Sequence, residues 1–244
     1  MASEPLAPHG PPLGSSQGHG AHHYALAHQF DSLDQQKESS TLGMWIFLAT
    51  EIMFFGVLFL SYSIYRTLYP QAFALASHTL NVPLGGANTA ILIGSSLTMV
   101  LAIWAAQVNW RKGIVLFLLA TMGLGATFLG IKTVEYREKF ETHHVPGPTF
   151  RFVPESAHVK ITDPQLERHA SIFFSLYFIM TGIHALHMII GIGVLAVLTV
   201  LSWKGKYDAE YHNPLEMTGL YWHFVDIVWI FLFPLLYLLG AHAR

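Results

Sequence analysis

Ionisable side chains occur in this sequence at positions where apolar residues are expected. Glu51 lies in the middle of an apolar run at residues 42–61. As a helix this run is about 30 Å long, the thickness of a bilayer's hydrocarbon core. A carboxyl at that depth costs on the order of 2.5–3.5 kcal/mol. Proton handling or a buried partner would offset that cost, so Glu51 is a candidate proton-related residue.

Two later apolar runs also carry polar pairs with a spacing of three residues. His184 and His187 form one pair, and His223 and Asp226 form the other. Residues three apart share one face of a helix. Such groups avoid isolated burial by hydrogen-bonding locally or to a neighbouring helix. The pattern predicts that the two helices pack against each other.

Three interpretations of these four side chains stay open. A haem would need an axial His and room for the macrocycle. Spans rich in Phe and Leu give no indication of such room. A metal site has suitable ligand types here, but their spacing is unspecific. An interhelical hydrogen-bond network is the interpretation that requires the fewest assumptions. Glu51 and Asp226 also remain candidates for proton handling, because intramembrane carboxylates often mark proton paths.

Composition sets the class of protein. Hydrophobic residues make up 52% of the chain and charged residues 11%, against about 25% charged residues in soluble domains. The chain is therefore expected to be a polytopic membrane protein. It contains no Cys, which excludes disulfides, zinc–thiolate sites and iron–sulfur ligation. A net charge of −2 without a basic block gives no sign of nucleic-acid binding.

The apolar segments predict an all-α membrane protein with five transmembrane helices in one bundle. We expect these helices at about residues 42–65, 89–107, 113–134, 170–203 and 217–239. Residues 1–40 are rich in Pro, Gly, Ser and His and are predicted to be a disordered tail, with a metal-chaperone arm as the alternative. Residues 135–169 are polar and are predicted to be a loop that caps the bundle.

Small residues indicate how the helices pack. The second segment has a stripe of them at a spacing of four residues: Ala90, Gly94, Thr98, Ala102 and Ala106. The third segment has Gly123, Ala126 and Gly130 in a similar arrangement. Because close backbone approach drives helix association in lipid, both stripes are expected to be packing seams within the chain.

Basic residues give a mixed indication of orientation. Arg111, Lys112, Lys204 and Lys206 lie in short connections and favour an N-terminus on the inside. The long third connection argues the other way, with six basic residues that include Lys132. We expect the N-terminus inside and the C-terminus outside.

Four segments resemble subunit III of cytochrome c oxidase, in the haem–copper oxidase superfamily. They are residues 47–55 (FLATEIMFF) with Gly43 and Met44, the pair Asn88-Thr89, residues 182–191 (GIHALHMIIG) and residues 221–229 (YWHFVDIVW). Glu135-Tyr136 resembles the family's Glu-Tyr pair after the corresponding span. The resemblance covers about residues 40–240 in the family's order, and the segment at 221–229 is the most specific.

The resemblance implies a subunit without redox cofactors and without catalytic residues. In the family, subunits I and II carry the haems and coppers, reduce oxygen to water and pump protons. Subunit III binds subunit I, holds phospholipid, and supports proton uptake and the durability of the catalytic core. Glu51 matches the family's carbodiimide-reactive glutamate, and the resemblance adds Asn88 and Glu135 to the polar network. No metal is expected in this chain.

The resemblance also bears on location and form. It implies the bacterial inner membrane with a cytoplasmic N-terminus, and contact with subunits I and II, lipids and a larger respiratory supercomplex. Seven-helix members have two further spans and a lipid-filled cleft, so this chain is similar to the shortened five-helix form. The alternatives are a quinol oxidase subunit III, a relative associated with nitric oxide reductase, and a free-standing proton-coupled transporter or haem protein. The sequence has no inverted repeat typical of transporters.

Overall fold

The computed structural model describes residues 29–142, 145–147, 150, 164–207, 209 and 211–238. The helices are α1 (Leu33–Leu68), α2 (Pro70–His78), α3 (Val82–Gln107), α4 (Arg111–Glu141), α5 (Pro164–Trp203) and α6 (Asn213–Phe233), followed by a π-helical turn at Pro234–Leu238. Within these ranges, five helices are long and apolar enough to span a membrane. The protein is an all-α membrane bundle with five candidate spans.

Helices α3, α4, α5 and α6 form the compact part of the bundle, and α3 packs most extensively on α4. Helix α1 lies outside this group, along α5 and α6. It buries Leu48, Phe55 and Tyr62, which are seven residues apart, so a single narrow stripe contacts the bundle. Most of the remaining α1 surface is apolar and exposed, as suits a helix facing lipid or a partner.

The first span begins earlier than the apolar pattern indicates. Helix α1 starts at Leu33, and the Ser32 side chain caps it by accepting a hydrogen bond from the Gln35 backbone N–H at 3.2 Å. Asp34 in the first turn interacts favourably with the positive end of the helix dipole. Residues 33–40 are therefore helical, and their assignment to the disordered tail is wrong. Residues 1–28 lie outside the described residues.

The polar loop is shorter than expected because both flanking helices extend into it. Helix α4 continues to Glu141, which forms an ion pair with Arg137 one turn earlier at 3.0 Å. Helix α5 begins at Pro164, and proline is favourable in a helix's first turn. Residues 135–141 and 164–169 are thus helix rather than loop. Most of the remaining connection lies outside the described residues, so a cap over the bundle stays a prediction.

Helix α2 is an element that the sequence pattern did not indicate. Its nine residues are too few to span a membrane. It buries Phe73, whose ring lies 5.4 Å from the rings of both Tyr62 and Phe173. The connection after α1 is consequently folded back onto α5.

The two small-residue stripes differ in their surroundings. On α3, Ala102 and Ala106 are fully buried, and Thr98 Oγ1 lies 2.8 Å from Thr121 Oγ1 on α4. Gly94 lies against Leu124 of α4, whereas Ala90 is exposed. On α4 the expected stripe is wrong: Gly123, Ala126 and Gly130 all face outward.

Helix α4 instead packs through the face that carries Gly125. A Cβ atom at Gly125 would lie 2.9 Å from the Trp222 ring, and one at Gly191 on α5 would also lie 2.9 Å from it. The indole Nε1 donates to Ser95 Oγ on α3 at 3.2 Å. Trp222 of α6 thus occupies a slot between two glycines and contacts α3, α4 and α5.

Candidate functional site

Glu51 lies on the packed edge of α1 and pairs with His187 of α5. Glu51 Oε2 is 3.1 Å from His187 Nε2, and the two side chains are 20% and 14% exposed. His187 Nδ1 lies 2.9 Å from the Ile183 carbonyl oxygen, one turn earlier on α5. Because a carbonyl only accepts hydrogen bonds, His187 Nδ1 must carry a proton.

This tautomer determines what the pair can be. In a neutral imidazole with a proton on Nδ1, Nε2 is an acceptor, so Glu51 must be a protonated acid that donates to it. In the alternative arrangement both ring nitrogens are protonated and Nε2 donates to a carboxylate. One proton lies between Oε2 and Nε2 in either case, and the pair as a whole is neutral. The arrangement can therefore hold a proton within a low-dielectric region.

Aromatic side chains fix the position of His187. The Phe55 ring lies 5.4 Å from the imidazole, edge to face. The Tyr221 ring stacks beside the imidazole at 6.5 Å, and its hydroxyl donates to the His187 carbonyl oxygen at 2.9 Å. Residues from α1, α5 and α6 thus meet around one acid–imidazole pair. Glu51 keeps a fifth of its side-chain surface exposed on the outer side of the bundle.

The second polar pair does not form a local hydrogen bond. His223 Nδ1 lies 2.7 Å from Ser96 Oγ on α3. Ser96 also faces the Asp226 carboxyl, but neither carboxyl oxygen has a partner with hydrogen-bond geometry among the described residues. Asp226 is only 3% exposed. All three side chains line a groove of about 400 Å³ between α3 and α6.

His184 is buried among aromatic rings. It is 1% exposed, and neither of its ring nitrogens has a hydrogen-bond partner in the described part of the chain. The imidazole packs 5.3 Å from the Trp229 ring and 5.5 Å from the Phe128 ring. Here it behaves as a packed ring rather than as part of a polar chain.

The expectation of one network that joins His184, His187, His223 and Asp226 is therefore wrong. His187 bonds to α1, His223 bonds to α3, and the other two have no described partner. Three residues along a helix correspond to a rotation of about 300°, so side chains at that spacing diverge by roughly 60°. In a bundle of five helices that divergence suffices to direct them at different neighbours.

Asn88 also lies outside any described hydrogen-bond network. It is fully buried, and its side-chain oxygen and nitrogen have no partner among the described residues. The adjacent Thr89 makes the interhelical contact instead, because its hydroxyl oxygen accepts from Trp229 Nε1 at 3.1 Å. The expected role of Asn88 in a network is not supported.

Glu135 does belong to a buried polar cluster, with partners that were not predicted. Lys132 Nζ donates to Glu135 Oε2 at 2.9 Å, and the Tyr177 and Tyr237 hydroxyls donate to Oε1 at 2.8 and 2.5 Å. Lys132 Nζ also donates to the Tyr237 hydroxyl at 2.9 Å and lies 5.0 Å from the Trp229 ring. The cluster joins α4, α5 and the C-terminal π-helical turn.

Lys132 was expected to be a charge in the long loop. It is 4% exposed and lies within α4, as does the equally buried Lys139, which donates to the Thr79 carbonyl oxygen. The spacing of Lys132 and Glu135 is that of a helical ion pair, and this signal was available in the sequence. With both lysines buried, the loop argues less strongly against a cytoplasmic N-terminus, and the orientation stays a prediction.

The metal-site interpretation gains no support from the geometry. Within the described ranges, no group of three or more His, Cys, Asp or Glu side chains is placed to share a metal ion. Of the four side chains that suggested such a site, His187 bonds to α1 and His223 bonds to α3. His184 and Asp226 have no partner with hydrogen-bond geometry among the described residues. Whether the chain carries a cofactor stays a prediction.

Comparison with known proteins gives a consistent assignment. The family model for cytochrome c oxidase subunit III matches residues 28–241. Cytochrome c oxidase subunit 3 of Thermostichus vulcanus is 32% identical over 86% of this chain and 92% of that protein. The subunit of the same name in a Synechocystis species is 33% identical over 81% of this chain and 74% of that protein.

A relative from another type of oxidase is similar over a comparable length. Cytochrome bo(3) ubiquinol oxidase subunit 3 of Pseudomonas aeruginosa is 28% identical over 91% of this chain and 96% of that protein. The family match covers the described helices and all of the polar residues considered above. The chain therefore belongs to the cytochrome c oxidase subunit III family.

Proposed function

We propose that this chain is the cofactor-free subunit III of a respiratory terminal oxidase that reduces oxygen to water and pumps protons. Subunits I and II would carry the haems and coppers, and subunit I would be the main contact. The chain itself would perform no redox chemistry. It would lie in the bacterial inner membrane with a cytoplasmic N-terminus, and it would hold phospholipid along its lipid-facing helices.

The Glu51–His187 pair is the observation that carries a role in proton supply. It is neutral as a whole, so its burial costs less than the burial of a separate ion. The shared proton can move between Oε2 and Nε2 without a change in the net charge of the pair. Glu51 is also reachable from the outer side of the bundle. We infer that the pair holds a proton close to the outer surface of α1 and supplies it to the catalytic subunits.

The test uses the purified oxidase with Glu51→Gln in this chain. Oxygen reduction should continue near the wild-type rate, because the redox centres lie elsewhere. Protons pumped per electron, or the number of turnovers before inactivation, should fall. Glu138→Gln is the matched control, because it removes an exposed carboxyl of the same type from α4. If Glu51→Gln equals the control in rate, pumping and lifetime, the proton role is wrong.

The absence of a haem is tested separately. The full chain, purified without its partners, should show no Soret band and no stoichiometric metal. A Soret band that disappears on substitution of His184 or His223 would contradict the cofactor-free assignment.

A quinol oxidase subunit III is the second candidate function, and the Pseudomonas aeruginosa relative favours it. The electron donor is read by other subunits, so this chain's residues do not discriminate. Supplying the purified complex with either reduced cytochrome c or a quinol would decide between them. Family membership favours both candidates over a free-standing transporter.

A further inference from the structure

We propose that the groove between α3 and α6 docks one membrane-spanning helix of another oxidase subunit, which donates a hydrogen bond to the Asp226 carboxyl. This inference rests on the proposed function, because it requires partner subunits in the same membrane.

The groove has the shape that a helix requires. Its walls are two rows with spacings of four and three residues: Ile93, Leu97 and Val100 on α3, and His223, Ile227 and Ile230 on α6. The aliphatic members of these rows are 44–60% exposed. The α3 row and its flanking Leu92 cover about 12 Å, or two helical turns. A ridge of side chains from a third helix packs into such a groove.

Asp226 provides the reason for a polar partner. Asp226 is almost fully buried and lines the groove, and neither of its carboxyl oxygens has a partner with hydrogen-bond geometry among the described residues. Ser96 Oγ lies 2.7 Å from His223 Nδ1 and also faces the Asp226 carboxyl, but without hydrogen-bond geometry to either carboxyl oxygen. An unpaired carboxyl in hydrocarbon is strongly unfavourable. An incoming hydroxyl, carboxamide or imidazole would relieve that cost.

The depth of Asp226 argues against a phospholipid as this partner. Asp226 lies near the middle of the span at Asn213–Leu238, so it is expected at the bilayer midplane. Phospholipid headgroups lie about 15 Å away at the two membrane surfaces, and acyl tails carry no hydrogen-bond donor. A membrane-spanning helix passes through the midplane and can place a polar side chain there.

The groove walls also lack the groups that would recognise a small headgroup. Apart from Ser96, His223 and Asp226, the groove is lined by branched aliphatic side chains, with no Lys or Arg for a phosphate and no Phe, Tyr or Trp to stack on a ring. Interhelical hydrogen bonds combined with apolar packing are the means by which helices associate in membranes. The groove therefore fits a helix better than a phosphate-bearing or ring-bearing amphiphile.

The first test compares the full chain in detergent with the purified oxidase. Asp226→Leu removes a carboxyl that has no partner within the described chain, so the full chain should unfold at the wild-type temperature or above. The same substitution should speed dissociation of the chain from the oxidase by about three- to tenfold, the range expected from interhelical hydrogen bonds. Asp226→Asn, which still accepts a hydrogen bond, should restore most of the retention.

Thr127→Leu is the control, because Thr127 is exposed on α4 and donates only to the Gly123 carbonyl of its own helix. It should change neither measurement. Unchanged retention in Asp226→Leu would overturn the proposal. A parallel loss of full-chain stability and retention would overturn it too, because Asp226 would then act within the chain.

The second test identifies the occupant. A photoreactive benzophenone side chain is placed at Leu97 or Ile227 in the groove, or at Val197 on α5 as an exposed control. In the purified oxidase, the groove positions should crosslink to one helix of a partner subunit, and Val197 should not crosslink to that helix. Groove adducts with phospholipid alone, with a quinone, or with a second copy of this chain would each overturn the proposal.

These outcomes separate the two proposals. A chain that never purifies with haem-bearing subunits would contradict the proposed function itself. A chain that does purify with them, but yields only lipid adducts at the groove, would contradict the docking site alone.

Discussion

Glu51 Oε2 lies 3.1 Å from Nε2 of His187, and this pair joins α1 to α5. Helix α1 contacts the bundle along a narrow stripe, so a polar contact at its centre contributes to both position and chemistry. The second imidazole nitrogen is committed to the Ile183 carbonyl. Removal of Glu51 would therefore leave Nε2 without a hydrogen-bond partner among the described residues.

Carbodiimide modification should distinguish Glu51 from the other carboxyls within the spans. A hydrophobic carbodiimide reacts with a protonated carboxyl that it can reach from lipid. Glu51 is 20% exposed, whereas the Glu135 side chain is 2% exposed and Asp226 is 3% exposed. Peptide mass spectrometry of the treated oxidase should place the adduct on Glu51. Adducts that fall mainly on Asp226 or Glu135 would contradict this order of accessibility.

Two substitutions of Glu51 should separate hydrogen bonding from proton transfer. Glu51→Gln can still donate an N–H to His187 Nε2, so the full chain should unfold near the wild-type temperature. Glu51→Leu leaves Nε2 buried without a partner, which costs about 1–3 kcal/mol. Unfolding of the full chain in detergent measures both. Equal losses of stability for Gln and Leu would show that the bond is not maintained by the amide.

The Trp222 slot predicts a contrast between glycines two residues apart. Gly125→Ala places a methyl group 2.9 Å from the Trp222 ring, and overpacking of this kind costs about 1–3 kcal/mol. Gly123→Ala meets no atom within 4 Å and improves helix propensity, so it should be neutral or slightly stabilising. Gly191→Ala and Gly193→Ala form a second matched pair on α5. Unfolding temperatures of the four variants provide the measurement.

The spans could be predicted from the sequence because twenty apolar residues have few other structures available. Their ends could not, because hydropathy does not register a capping residue such as Ser32 or a polar helical extension such as residues 135–141. Helix α2 was missed for a related reason: its nine residues resemble an ordinary connection.

The polar site, like the spans, could be predicted only in part. Glu51 and His187 were each identified because a charged or titratable group in an apolar run must have a partner. Their pairing was not, because it depends on the rotation of α1 against α5, which one sequence does not specify. Lys132 was assigned to a loop although its spacing from Glu135 is helical. Tyr177 and Tyr237 could not be identified as partners of Glu135, because they lie far from it in the sequence and approach it only in the folded chain.

The Lys132–Glu135 cluster predicts strongly non-additive effects of substitution. Lys132→Met leaves the Glu135 carboxylate buried without its cation, and breaking a buried pair in this way costs about 3–5 kcal/mol. Glu135→Gln likewise leaves the Lys132 ammonium group buried without its carboxylate. The double variant buries no unpaired charge, and Gln can still accept from the Tyr177 and Tyr237 hydroxyls. It should therefore be more stable than either single variant.

A double-mutant cycle on the full chain measures this coupling as the departure from additivity in unfolding free energy. Thr133→Val is the control, because Thr133 is exposed and its hydroxyl donates only to the Leu129 carbonyl of its own helix. Because the cluster also holds the C-terminal turn through Tyr237, both single variants should expose residues 234–238 to faster hydrogen exchange. Additive effects, or unchanged exchange in that turn, would show that the ion pair does not anchor the C-terminal end of the bundle.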